Sequence, residues 1–533
     1  MCKAMGSSVT ISSTSAAGRS SICRTVSNLL AAMFLLTGLA CACAKDLAAV
    51  EGAPSAAFEG HLETQLGQLF EEIAVDHPGQ SGFTIIRHGR QAFSARVAFA
   101  DLAQQSLDLQ YYIWEGDVTG WILMDRLVRA ADRGVRVRVL IDDISLAGRD
   151  ARVAALDAHP NIEVRVFNPF AHRGSRFVDF AIDLNRVNHR MHNKVIVVDN
   201  AAAIVGGRNI GNHYFEVATD SNFRDLDIAA AGPVVREISD VFDYFWNGEW
   251  ATPIDALVDR TFTEADLHAA VAEIRTKIAT TRYPHPLDQD VNDLASELTS
   301  IRDQFVWAPG RIVWDDPSRI REGIAQGTML RKLYERVDSL DEELLIESAY
   351  FVMPDHGVEK IAELSERGVR VRVLTNSLAS NDVLAAHAGH AKRRKLVIES
   401  GVELYELRPD AGAVDRTASD VETKSGLHTK AAVFDRESVF IGSFNLDPRS
   451  GSINTEAGLY VESPELAEQV IAFMDEGVLP ENSFRVRVDE DGDLVWITRD
   501  DGEEVRFRTD PHSSFWARML SGFIAWLPIE HQL

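Results

Sequence analysis

An eight-residue block occurs twice in this chain without a single change. Arg133 to Leu140 reads RGVRVRVL, and Arg367 to Leu374 reads RGVRVRVL again, 234 residues later (133 to 367). Each copy follows a helix-like segment, Thr119 to Asp132 or Gly357 to Glu366. Before each helix lies an apolar strand candidate, Leu107 to Trp114 or Leu344 to Val352. Strand, helix and strand, with β-branched residues alternating with arginine, predict βαβ units and a mixed sheet in each copy. At 533 residues the chain is also too long for one ordinary core, so two domains plus accessories is the expected organisation.

A second pattern repeats in the same register. In the first copy, HNKVIVVD runs from His192 to Asp199 and is followed by Gly206-Gly207-Arg208-Asn209. In the second, HTKAAVFD runs from His428 to Asp435 and is followed by Gly442-Ser443-Phe444-Asn445. Both fit H-x-K-x4-D-x6-G-[GS]-x-N, and the histidines are 236 residues apart (192 to 428). One H-x-K-x4-D match arises easily by chance. Two, each with glycine and asparagine in register inside a repeat, do not.

These motifs resemble the phospholipase D superfamily, whose signature is a duplicated HKD motif, from about Phe83 to Asn482. In detail they are similar to its bacterial cardiolipin synthase branch: GGRNIGNHYF at 206–215, GSFNLDPRS at 442–450, NTE at 454–456 and the ending LPIEHQL at 527–533. The resemblance implies an α/β fold of two pseudo-symmetric phospholipase D-like domains, with mixed sheets flanked by helices and the active site where they meet. We expect those domains at 83–250 and 307–483, joined by a helical connector at 251–306.

The chemistry follows from the residue types. His192 and Lys194, like His428 and Lys430, lie two apart, so on a strand both side chains of a pair project to one face. If the copies share a cleft, it holds two imidazoles, two ammonium groups and two asparagine amides, a set that fits a phosphodiester. The lysines, Asn209 and Asn445 would neutralise non-bridging oxygens whose charge grows in the transition state. One neutral histidine attacks phosphorus to form a phosphohistidine, and its protonated partner gives a proton to the leaving alcohol. The mechanism requires no metal or cofactor, and it predicts a bell-shaped pH dependence. The resemblance favours His192 as nucleophile and His428 as acid.

The candidate catalytic group is therefore His192, Lys194, Asp199, His428, Lys430 and Asp435. Each histidine also needs a carboxylate to fix its tautomer. Besides Asp199 and Asp435, the repeat offers Asp225 and Glu456, each eight residues before a proline (Pro233 and Pro464). The resemblance points to Asp225 and Glu456 as the direct partners, leaving Asp199 and Asp435 mainly structural. Copy two has Ser443 where copy one has Gly207, so a serine hydroxyl offers one side of the site an extra donor to phosphate.

The remaining segments bound the setting. All four cysteines fall within the first 44 residues, so the body has neither a disulfide nor a cysteine metal site. Arg19 and Arg24 precede the apolar run Leu29–Leu39 and the small-residue stretch 40–44, which reads as an export signal at 1–44. Cleavage there, lipid attachment at Cys41 or Cys43, and an uncleaved anchor are its three possible outcomes. Residues 484–533 predict a small β-meander, Phe484 to Arg508, and an aromatic tail, Phe515 to Leu527. That tail either docks on the protein or lies along a membrane interface. His387 and His390 have no third ligand in pattern for a metal, and the basic run Lys392–Lys395 reads as a solvated helix face. Arg87 and Arg96 are expected in structural salt bridges.

The resemblance makes phosphatidyl transfer to a second lipid the leading activity, with phosphatidylglycerol as acceptor, cardiolipin as product and a membrane as setting. Headgroup hydrolysis by the same chemistry is the first alternative, and a nucleic-acid phosphodiesterase the second. A net charge of −26 argues against a nucleic-acid partner. A module that only holds phosphate is the third alternative, and the two intact motifs count against it.

Overall fold

The computed structural model describes residues 52–285, 304–322, 327–414 and 423–527; the expected export signal at 1–44 lies outside them. The segment Phe170–Leu184 belongs to a compact unit separate from Val50–Pro169 and Asn185–Leu533. Within it, the helix Arg176–Ile182 carries Asp179, whose carboxylate accepts from His172 Nδ1 at 2.7 Å and from the His172 amide at 2.9 Å.

In the larger unit, the duplicated RG dipeptide ends a helix and starts a strand. The helices Val118–Asp132 and Asp355–Glu366 stop at Arg133 and Arg367, and Gly134 and Gly368 then turn the chain at φ 98° and 85°. Glycine takes that left-handed conformation without the Cβ penalty of other residues. The following strands, Arg136–Asp142 and Arg370–Asn376, pair in parallel with Ser106–Tyr111 and Glu343–Ser348. The repeated arginines anchor helices to these strands. Arg138 pairs with Asp243 of the helix Pro233–Trp246 at 2.8 Å, and Arg372 pairs with Asp475 of the helix Pro464–Gly477 at 2.6 Å.

Each copy builds one mixed sheet. The nine-stranded sheet runs Val306–Ala308, Ser81–Ile86, Asp227–Ala231, Ala202–Gly206, Lys194–Val198, Ser106–Tyr111, Arg136–Asp142, Ile162–Phe167, Ala251–Pro253. The second repeats that order from Gly310–Trp314 through Ala457–Glu462, Ser438–Gly442, Lys430–Phe434, Glu343–Ser348 and Arg370–Asn376 to Val402–Leu407. The strands Ser483–Val488, Leu494–Asp500 and Glu503–Phe507 extend its edge, so the C-terminal meander continues this sheet. In the connector, the helix Glu264–Thr280 packs on the helices Val118–Asp132 and Asp150–Asp157.

The two sheets share a core. Val195, Ala203 and Val205 of the first lie in one buried cluster with Ala431, Val439 and Ile441 of the second. The motif-bearing strands Lys194–Val198 and Lys430–Phe434 sit in mid-sheet, buried along nearly their whole length, which holds the residues just before them rigidly. Arg96 and Arg87 form the expected ion pairs, with Asp227 at 2.9 Å and with Glu476 at 2.8 Å.

Candidate active site

The two copies exchange chain at the site. Before the second motif, Lys424–Leu427 pairs in parallel with Ser221–Arg224, the segment leading to Asp225. Before the first, Met191 bridges to Thr455, the residue preceding Glu456, and the His192 amide donates to Thr455 O at 2.9 Å. These two short pairings bring each histidine to the carboxylate of the other copy. His192 Nδ1 lies 2.9 Å from Glu456 Oε2, and His428 Nδ1 lies 2.6 Å from Asp225 Oδ2. A carboxylate on Nδ1 fixes the tautomer and leaves Nε2 as the candidate reacting nitrogen of each ring.

The electrostatics are those of a buried cluster of lysines, histidines and carboxylates. His192, Lys194, His428 and Lys430 are all buried. Burial, and then the charges of both Lys194 and Lys430, hold each imidazole well below its ordinary pKa, so both rings are neutral before an anion arrives. Burial also lowers both ammonium groups, Lys430 to about 8. Each lysine is tied back to the carbonyl of its own motif histidine. Burial pushes Glu456 up to about 7, and the two lysines act against that rise. Asp225 is likewise raised by burial. Because both lysines act on both histidines, the two half-motifs form one electrostatic site.

Aromatic edges line it. Tyr112 meets the His192 ring edge-on at 4.8 Å and lies 5.3 Å from Lys194 Nζ. Tyr214 meets His428 in the same way at 5.0 Å, and Phe223 lies 5.4 Å from it. The Tyr350 hydroxyl donates to Asp382, whose negative charge reaches Lys430.

A family model described as cardiolipin synthase, PLD-like domain, matches the chain twice, over residues 97–246 and 333–477. The chain belongs to this family. Cardiolipin synthase C of Escherichia coli (strain K12) is 37% identical over 466 residues, which span 86% of this chain and 97% of that protein. Cardiolipin synthase A of Pseudomonas putida (strain W619) is 26% identical over 384 residues, 72% of this chain and 65% of that protein. The crystal structure of phosphatidylserine synthase from Haemophilus influenzae superposes with a TM-score of 0.51 at 14% identity, covering 76% of this chain and 90% of that one, and shows the shared fold.

Within this PLD-like fold, not every motif residue stands at the histidines. Asp199 accepts from the amides of Gln104, Gln105 and Ser106, and Asp435 from those of Asp341, Glu342 and Glu343. Both begin left-handed turns, Asp199-Asn200 at φ 52° and 50° and Asp435-Arg436 at φ 51° and 56°. They fasten the hairpin after each motif strand to the start of the neighbouring strand, so they leave the catalytic group in which the motif had placed them.

Ser443 also corrects the sequence reading. Its hydroxyl donates to Glu456 Oε2 at 2.5 Å and accepts from the Ala457 amide at 3.0 Å, so it is committed to the carboxylate and not to phosphate. In the other copy a Cβ at Gly207 would lie 2.2 Å from Asp225 Oδ1. The asymmetry of the motif is therefore one of carboxylate packing. Asn209 Oδ1 accepts from the Ile113 amide at 3.1 Å, and Asn445 Oδ1 is buried without a hydrogen-bond partner.

Sequence reasoning missed Tyr112 and Tyr350, although they stand one and two residues past the strands Ser106–Tyr111 and Glu343–Ser348, and it passed over Tyr214 and Asp447 inside quoted motifs. Burial raises the Asp447 carboxyl to about 6. His387 and His390 are buried. His390 Nε2 lies 2.9 Å from Glu406, and His387 Nε2 lies 3.6 Å from Asp510. Arg394 of the basic run is buried between the same two carboxylates, at 2.7 Å and 2.9 Å, while Lys392 and Lys395 stay exposed.

Proposed function

We propose that the chain is a phosphatidyltransferase that makes cardiolipin from phospholipids through a phosphohistidine. The observation that carries this reading is the crossed pairing of His192 with Glu456 and His428 with Asp225 around two buried lysines. Asymmetry between two otherwise equivalent imidazoles is what acid–base and nucleophilic roles require.

His192 Nε2 attacks phosphorus, the P–N bond forms, and the P–O bond to the leaving alcohol breaks. His428 donates its proton to that alcohol oxygen. The acceptor hydroxyl of phosphatidylglycerol then gives a proton back to His428 as its oxygen displaces His192. The anionic phosphodiester, entering beside His428, raises a pKa that burial and two lysines hold low, so the acid gains its proton as the substrate binds. Lys194, Lys430, Asn209 and Asn445 stabilise the non-bridging oxygens. A buried site limits water and favours transfer over hydrolysis. Export and membrane tethering by the N-terminal residues 1–44 would keep the enzyme at its substrate.

Lipids extracted from cells expressing the wild-type chain, His192→Ala and His428→Ala test the reading. We expect cardiolipin to accumulate with wild type alone. Phosphatidic acid in its place identifies a hydrolase, and cardiolipin in either variant overturns the two-histidine mechanism.

A further inference from the structure

The helix Phe515–Trp526 is amphipathic the wrong way round for a helix packed on its own protein. Its one buried residue is Ser521, whereas Phe515, Trp516, Phe523 and Trp526 are 65%, 69%, 59% and 80% exposed. Met519 and Leu520 are about half exposed between them. Positions 516, 519, 520 and 523 follow the i, i+3, i+4, i+7 spacing of a single helical face. A helix that merely docked would turn these side chains inward.

Its mounting is firm. Ser514 caps the helix by accepting from the Ala517 amide at 3.1 Å, and its only charged residue, Arg518, reaches back to Ser513 O at 2.7 Å. Just upstream, Asp510 is held by Arg394 at 2.9 Å, and Arg394 belongs to the helix Leu384–Glu399, on which the terminal helix packs. That supporting helix begins two residues after Asp382, which accepts from the Tyr350 hydroxyl at 3.0 Å and whose charge acts on Lys430. The helix that carries the apolar face thus packs on the helix that begins beside Asp382.

We infer that the helix Phe515–Trp526 is the element by which this enzyme lies in the headgroup region of a phospholipid bilayer. The inference rests on the lipid-directed function proposed above and names its interfacial element. Twelve residues rise about 18 Å, too little to cross a hydrocarbon core of about 30 Å. Tryptophans near both ends suit the boundary between headgroups and acyl chains. The helix carries no acidic residue, although the whole chain has a net charge of −26, so this patch escapes the repulsion that the body meets at an anionic membrane.

The test uses the full chain and vesicles of phosphatidylglycerol with brominated phosphatidylcholine, which quenches tryptophans at acyl-chain depth. Two double variants are compared with wild type: Trp516→Phe with Trp526→Phe, which removes the reporters, and Leu520→Glu with Phe523→Glu, which removes the apolar face. We expect quenching in wild type, its loss in both variants, and unchanged turnover of short-chain monomeric phosphatidylglycerol in both. Quenching that is absent in wild type, or persists in either variant, overturns the inference. Loss of self-association in the glutamate variant with its quenching intact assigns the face to a second copy and overturns it equally. If quenching behaves as expected but wild type turns over neither long-chain nor short-chain lipid, the proposed function fails while the membrane assignment stands.

Discussion

Glu456 holds His192 Nδ1 at 2.9 Å although 264 residues separate them, and neither side chain has a histidine–carboxylate partner in its own repeat. Each copy lends its carboxylate to the histidine of the other. The crossed histidine–carboxylate pairs are therefore complete only where both repeats meet.

Glu456→Gln tests the carboxylate directly. The amide keeps the shape and a hydrogen bond, but it allows the wrong histidine tautomer and gives no charge to an imidazolium. A loss in kcat on the order of 10³–10⁴ is expected, as for removal of the equivalent charge in a catalytic triad. Thermal unfolding should change little by comparison. If kcat falls less than tenfold, Glu456 does not orient the nucleophile.

Lys430 sets an alkaline limit. Its ammonium, lowered to about 8 by burial, is charged below that pH and neutral above it. Since kcat/KM reports the free enzyme, it should fall roughly tenfold per pH unit above about 8, as attraction for the phosphodiester is lost. Lys430→Arg keeps the charge to much higher pH, so the limb should move alkaline even though the absolute rate drops. A limb that stays in place rejects Lys430 as its source.

Asp199→Ala should separate stability from chemistry. It strips acceptors from three backbone N–H groups, two of which approach at 2.8 and 2.9 Å. Leaving buried donors unpaired costs about 1–3 kcal/mol each, partly recovered by water at this loop. We expect a clear fall in the unfolding midpoint with kcat per folded molecule near wild type. A loss of kcat as large as that of Glu456→Gln would return Asp199 to the catalytic group.

Much of this was legible in the sequence because the signals were local. The RGVRVRVL block specified helix end, turn and strand within a few residues. The two-residue spacing in the motif predicts a shared strand face, but each strand begins at the lysine and the histidine stands just before it. What could not be read was long-range. Nothing near Asp225 says that its histidine lies in the other copy, since that pairing is made by Ser221–Arg224 joining Lys424–Leu427 across the domain interface. Ser443 was misread for a related reason: a hydroxyl beside a motif glycine looks available until Glu456 is placed against it. Arg394 looked solvated because a run of like charges hides the one member that turns inward to Glu406. The tail's composition fitted docking as well as membrane contact, and only side-chain exposure separates the two.

The pairing of Gly207 with Asp225, against Ser443 with Glu456, yields the most specific prediction. A Cβ at 207 would stand 2.2 Å from the carboxylate that holds His428, and the adjoining strands are buried and leave little room for retreat. Gly207→Ser should therefore push Asp225 off His428 Nδ1 and lower kcat on the order of 10²–10³, within the range typical for a general acid–base group. Adding Asp225→Glu recreates the serine–glutamate pair of the other copy, in which the hydroxyl donates to the carboxylate at 2.5 Å. The double variant should regain at least about tenfold over Gly207→Ser alone, a non-additivity expected only of residues in contact. If Gly207→Ser keeps the wild-type rate, Asp225 can act from elsewhere, and the glycine is not there to make room for it. If the double variant is no better than the single one, the two copies hold their carboxylates by different means.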